Sequence, residues 1–113
     1  ELGDKTAAIQ DYNKAIQLNP QYAVAYNNRG TAKADLGDKT GAIQDYTKAI
    51  EINPQYAKAY YNRGNVKAVI KDKMGAYADL EKAERLYLEQ GDKEGSESVT
   101  KAKSMAGKIL GPK

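Results

Sequence analysis

Apolar residues along this chain fall at helical intervals that are broken at regular points by Gly-Asp and Asn-Pro pairs. Tyr26, Gly30, Ala34 and Leu36 mark one predicted helix, with the first three sharing a face at i, i+4 and i+8. Gly37-Asp38 interrupts it, because Gly just past a helix end accepts a left-handed backbone and Asp can accept hydrogen bonds from the first free amides of the next helix. Ala42, Ile43, Tyr46, Ala49 and Ile50 then form a second stripe of helical period that ends near Asn53-Pro54, where the proline disfavours helical geometry at the preceding residue. The predicted unit is a helical hairpin. Small Gly30, Ala42 and Ala49 are placed for close approach of the two helices, and Tyr26 and Tyr46 fill the wider gaps.

The hairpin repeats. Gly3-Asp4-Lys5-Thr6 returns as Gly37-Asp38-Lys39-Thr40, and Asn19-Pro20-Gln21-Tyr22-Ala23 returns as Asn53-Pro54-Gln55-Tyr56-Ala57. Residues 3–36 laid over 37–70 give 24 identities in 34 positions without a gap, so each unit is expected to pack only on its neighbours. From Tyr56 onward the ingredients return as Tyr60, Gly64 and Ala68, then Ala76, Leu80 and Ala83, before the pattern drifts. Lys71 replaces the turn glycine, and Leu88 stands where proline would end the helix, which predicts a second helix running on to Gln90 and stopping at Gly91. Val99, Ala102, Met105 or Ala106, and Ile109 then recur every three to four residues among Lys, Ser and Glu. That is the pattern of an amphipathic helix able to cover the last face of a stack.

Composition adds exclusions. The apolar content of 41% in 113 residues supports one small elongated domain, and the absence of Cys removes any disulfide framework and suits a reducing, cytoplasmic setting. No apolar run approaches the roughly 20 residues needed to cross a bilayer, so no membrane segment is expected. The net charge of +3 is spread along the chain rather than gathered in a stripe, and no nucleic-acid partner is expected. Recognition of RNA by helical repeats ranks behind protein binding for the same reason.

Catalytic chemistry finds little to work with. Neither His nor Cys is present, which removes the commonest general base, thiol nucleophile and transition-metal ligands, so no catalytic residue, metal site or cofactor is expected. Asp35 and Asp38 near Gly37 and Gly41 lack the alternating ligands and closing Glu of a calcium loop, and Asp38 is read as a helix cap. Gly30, Gly37 and Gly41 lack the strand and the Gly-Lys-Ser/Thr tail of a phosphate-binding loop. Asp11, Asp45 and Asp79 recur at the repeat spacing, which argues for a structural or solvating role.

Tyr26, Gly30, Gly37-Asp38, Ala42-Ile43, Tyr46, Ala49-Ile50 and Pro54, echoed by Tyr60, Gly64, Ala76, Leu80 and Ala83, resemble the tetratricopeptide repeat family over roughly residues 1–88. The resemblance implies an all-α, right-handed solenoid of helix-turn-helix repeats with a C-terminal capping helix. It divides the chain into the second helix of a truncated repeat (1–20), a complete repeat (21–54), a diverged repeat with an extended second helix (55–90), and the capping helix and tail (91–113). Arg29 and Arg63 stand where the family often has Leu. In this register Glu1-Leu2-Gly3 matches the tail of a first helix, and the helix of Ile9, Tyr12 and Ile16 lacks a partner, which makes those three residues candidates for self-association.

The family's first helices line a concave groove. By register that face holds Asn27, Asn28, Thr31 and Asp35 from one repeat and Lys58, Tyr61, Asn62, Asn65 and Val69 from the next. Asn amides there can hydrogen-bond a peptide backbone, or can serve as solvated surface or bond between helices; Tyr61 offers an apolar body with a polar tip. Chaperone-binding members grip a C-terminal carboxylate with five residues, of which Asn28 and Lys58 are matched here, while Asn62 stands in the place of an Arg. The expected function is therefore a non-enzymatic protein-protein interaction module that binds a peptide segment or partner protein in the groove. The alternative is a structural or self-assembly module whose copies associate through exposed repeat ends.

Overall fold

The computed structural model describes residues 2–113 and forms six α-helices with no strand among the described residues: α1 (Leu2–Leu18), α2 (Ala23–Asp35), α3 (Lys39–Ile52), α4 (Ala57–Val69), α5 (Lys73–Glu89) and α6 (Lys93–Leu110). They form two compact units, one up to Pro54 with α1 to α3, the other from Gln55 to Lys113 with α4 to α6. In the first unit α2 packs against both α1 and α3; in the second α5 packs against both α4 and α6, and α6 also reaches α4. No helix among the described residues is long and apolar enough to cross a membrane.

One turn design joins α2 to α3, α4 to α5, and α5 to α6. Gly37, Lys71 and Gly91 each take a positive φ, of 91°, 68° and 72°. The amide of the following Asp then donates to the carbonyl five residues back: Asp38 to Lys33, Asp72 to Lys67 and Asp92 to Tyr87, each at 2.8 Å. These bonds satisfy carbonyls that the helix end leaves open. Each Asp also caps the next helix, its Oδ1 accepting from the amide of Gly41 at 2.9 Å, Gly75 at 3.0 Å and Gly95 at 2.9 Å. Lys71 adopts the left-handed backbone without being Gly.

Close helix packing follows from two glycines. A Cβ on Gly30 would meet the Tyr46 ring at 2.9 Å and the Ala42 carbonyl at 3.1 Å, and one on Gly64 would meet Leu80 Cγ at 3.0 Å and Asp79 Cβ at 3.1 Å. The Tyr46 hydroxyl, brought in by this contact, lies 3.0 Å from Thr31 Oγ1. In the second unit the core gathers Ala76, Tyr77, Leu80 and Ala83 from α5 with Ala68 from α4 and Val99 and Ala106 from α6.

The recurring carboxylates divide. Asp45 and Asp79 are buried, and each accepts a two-pronged hydrogen bond from the arginine 16 residues before it. Lys33 and Lys67, one turn beyond those arginines, add a second cation at 3.1 Å. Arg29 and Arg63 also lie over Tyr26 and Tyr60, 5.4 and 5.6 Å from the ring centroids. The hydrogen bond to Asp45 raises the Arg29 pKa above its ordinary value against the opposing effect of burial, and Asp79 does the same for Arg63. Asp11, by contrast, is exposed.

The structure departs from the sequence reading in two places. Leu2, Gly3 and Asp4 belong to α1, so the helix runs through the position where Gly37-Asp38 makes a turn. Gly3 does not take a positive φ, and Asp4 sits in the first helical turn, where its charge suits the helix dipole. Glu1, read with them as the tail of a first helix, lies outside the described residues. The second departure is Ile109 of α6, read on the apolar stripe but exposed; of the alternatives Met105 and Ala106, it is Ala106 that is buried, as Val99 is.

Candidate functional site

Six of the nine groove residues read from the sequence line two recesses, one in each unit. In the first, Asn28, Thr31 and Asp35 of α2 face Asp4, Lys5, Ala8 and Tyr12 of α1 around an open volume of about 410 Å³. Its polar groups largely satisfy one another. Asp35 pairs with Lys5 at 3.0 Å, and the Thr31 hydroxyl meets both the Asn27 carbonyl and the Tyr46 hydroxyl. The ring of Tyr46 is buried, and desolvation pushes its phenol pKa up.

Asn27 does not share this surface. It is only 2% exposed, because α2 lies between α1 and α3, and its amide donates to Asn28 Oδ1 at 3.4 Å. Tyr12, read as part of an unpartnered face, instead lines the recess with α2, and Ile9 and Ile16 are half-buried.

The second recess is of a different kind. Tyr61, Asn65, Ala68 and Val69 of α4 face α6 across a volume of about 370 Å³, and α6 contributes Ala102, Met105, Ala106 and Ile109 with Ser98 and Lys101. Val69, Met105 and Ile109 are 54%, 59% and 47% exposed, an apolar cluster at the mouth. Of the remaining sequence candidates, Lys58 is exposed at the start of α4, and Asn62 is half-buried and already engaged in a polar interaction. Neither lines this recess.

The α6 wall was not assigned to the site from sequence. The signal present was the pair Met105 and Ile109, one helical turn apart and apolar where a solvated face would be polar. Chemically the recess can desolvate apolar side chains, each worth about 1.5–3 kcal/mol when fully buried. Its hydrogen-bonding groups are the Asn65 amide, the Tyr61 hydroxyl and the Lys101 ammonium, since the Ser98 hydroxyl already donates to the Glu94 carbonyl.

A family profile described as TPR repeat matches residues 1–37 and again residues 31–68. Among solved structures, the chain is similar to the TPR2B domain of yeast Sti1, described in a pHsp70 complex, at 26% identity and a TM-score of 0.89, covering 94% of this chain and 85% of that one. It is similar to the first TPR of Spaghetti (RPAP3) bound to the HSP90 peptide SRMEEVD, at 27% identity and a TM-score of 0.76, over 91% and 80% of the two chains. The Arabidopsis OM64 TPR domain is 31% identical with a TM-score of 0.73, over 88% and 83%. No match was found among curated proteins. With a profile spanning more than half its length, two successive matches and the hairpin geometry described above, the chain belongs to the tetratricopeptide repeat family, whose members serve as protein-interaction modules.

Proposed function

We propose that this protein is a non-enzymatic interaction module that takes a peptide segment or partner protein on the first-helix faces of α2 and α4, in a reducing, cytoplasmic setting. The observation that carries this reading is the α4–α6 recess, where Val69, Met105 and Ile109 remain exposed beside a floor of alanines. An exposed apolar recess of this kind gains free energy when a partner excludes water from it. The recess between α1 and α2 is a weaker contact, because its ion pair and hydroxyls are already satisfied within the chain.

The pHsp70 complex of one similar domain and the HSP90 peptide bound to another suggest the general mode of use, and not the same ligand. Asn62 supplies no cation where the carboxylate-gripping members have an arginine. Affinity capture followed by mass spectrometry, comparing the wild type with Val69→Glu, tests the reading. Partners retained by the wild type are expected to be lost by the variant at an unchanged melting temperature; partners retained equally by both would overturn it.

Self-assembly through α1 is the second reading, favoured by Leu18, which is 88% exposed at the end of the helix bearing Ile9, Tyr12 and Ile16. It predicts a concentration-dependent mass by light scattering that Ile9→Lys reduces to that of one chain. A single-chain mass at all concentrations rules it out.

A further inference from the structure

The walls of the α4–α6 recess are two rows with the same spacing. Tyr61, Asn65 and Val69 follow one another at i, i+4 and i+8 on α4, and Lys101, Met105 and Ile109 do so on α6. Ala102 and Ala106 lie between them. Rows of i±4 spacing form the ridges by which helices interlock, and small residues between them let another helix come close.

The backbone of an occupant decides its form. An extended segment would need donors and acceptors for its own amides and carbonyls. Here the walls are helices whose backbone is already bonded and the Ser98 hydroxyl is taken, which leaves the Asn65 amide and the Tyr61 hydroxyl as the uncharged polar groups of the lining, too few to serve the successive amides and carbonyls of an extended segment. A helix satisfies its own backbone and presents only side chains, which is what a mostly apolar recess can receive. The volume of about 370 Å³ accepts a row of side chains and not a folded domain. Charge adds direction, because Lys101 is the one charged residue lining the recess, and no ion pair engages it among the described residues.

We propose that the α4–α6 recess receives one amphipathic α-helix of a partner protein, with apolar residues at i, i+3 or i+4, and i+7 against Val69, Met105 and Ile109, and an acidic residue opposite Lys101. The proposal rests on the reading of this recess as an interaction site and adds the form and charge of the occupant.

The test selects binders from a phage library of random 16-residue peptides on the full 113-residue chain. Each recovered sequence is then remade with an amidated C-terminus and titrated against the wild type, Met105→Glu and Lys101→Glu. Both substituted side chains are exposed, and melting curves check that the variants fold. Expected are peptides with helical apolar spacing and at least one Asp or Glu, circular dichroism that turns helical on binding, and Kd raised at least about tenfold by Met105→Glu. Lys101→Glu raises Kd by about three- to tenfold, and replacing the peptide's acidic residue with Lys restores binding to that variant. Peptides that depend on Met105 but tolerate central prolines would overturn the helical occupant and leave the interaction site standing. Peptides indifferent to both substitutions, or a selection that returns no binder, would overturn the helix proposal, and the indifferent peptides would also remove the site.

Discussion

The carboxylate of Asp45 accepts two hydrogen bonds from the guanidinium of Arg29, from Nε to Oδ2 at 2.8 Å and from Nη2 to Oδ1 at 2.7 Å, and so ties α3 to α2. Arg63 and Asp79 reproduce it between α4 and α5 at 2.7 Å in both bonds. Planar two-point contact of this kind is a property of arginine that lysine lacks.

Removing Arg63 strips the buried Asp79 carboxylate of its two-pronged partner and leaves it only Lys67, at 3.1 Å. Arg63→Ala is expected to destabilise the protein by about 2 kcal/mol, the worth of hydrogen bonds to a charged group, against less than about 1 kcal/mol for an ordinary surface ion pair such as Lys48 with Glu51. Urea denaturation of Arg63→Ala, Asp79→Ala and the double variant measures this, and the double variant should lose less than the sum of the two. Additive losses would show that the pair is not coupled.

Lys71 holds φ at 68° in a turn whose counterparts are Gly37 and Gly91. Lys71→Gly should raise stability by about 1 kcal/mol, because glycine enters the left-handed region without the Cβ penalty. Gly37→Ala should lower it by a similar amount. Thermal denaturation of the two variants reads opposite signs if the backbone argument holds, and the same sign if it does not.

Two glycines within helices should respond oppositely to alanine. Gly64→Ala pushes a methyl into Leu80 and Asp79 and is expected to cost about 1–3 kcal/mol, more than the roughly 1 kcal/mol gained from helix propensity. At Gly107 the added Cβ would find only the Tyr77 hydroxyl, at 3.5 Å, so Gly107→Ala should stabilise by about 0.5–1 kcal/mol. Denaturant midpoints at constant slope decide between these outcomes.

Alkaline pH should weaken the fold. Burial raises the phenol pKa of Tyr46 and of Tyr87 in the native state, so above the ordinary value of 10.0 the unfolded chain loses those protons first. The unfolded state then binds fewer protons than the native one, and stability falls as pH rises. Stability from these two groups should be unchanged up to about pH 9 and decline above it, with Tyr46→Phe and Tyr87→Phe each flattening part of the decline. A decline of equal slope in both variants would assign it to other groups.

The hairpins were legible because their signals are local. Gly37-Asp38 and Asn53-Pro54 act within a few residues, and the spacing of Ala42, Tyr46 and Ala49 reports one helix face. Arg29 and Arg63 read as departures from a family pattern until Asp45 and Asp79 were seen 16 residues on, although both pairs recur in phase along the sequence. Asn27 looked like surface because its own helix does not reveal that a neighbour lies on each side. The α4–α6 recess was harder still, since bringing Val69 and Met105 to one recess depends on packing between helices separated by all of α5. Even the spacing of α6 left Met105 and Ala106 interchangeable, and only the burial of Ala106 in the core that holds Val99 and Leu80 distinguishes them.

The turn shared by the three helix junctions has a consequence for how such a chain can be lengthened or cut. Asp38 and Asp72 stand one full repeat apart, but Asp92 follows Asp72 by only 20 positions, and all three junctions close with the same hydrogen bonds. The joint therefore carries its own geometry and does not depend on the length of the helices it connects. A sequence that preserves the left-handed residue, the capping carboxylate and the glycine three positions later can exchange whole helices between joints, so diversification of the helix faces need not disturb the hinges that fold them.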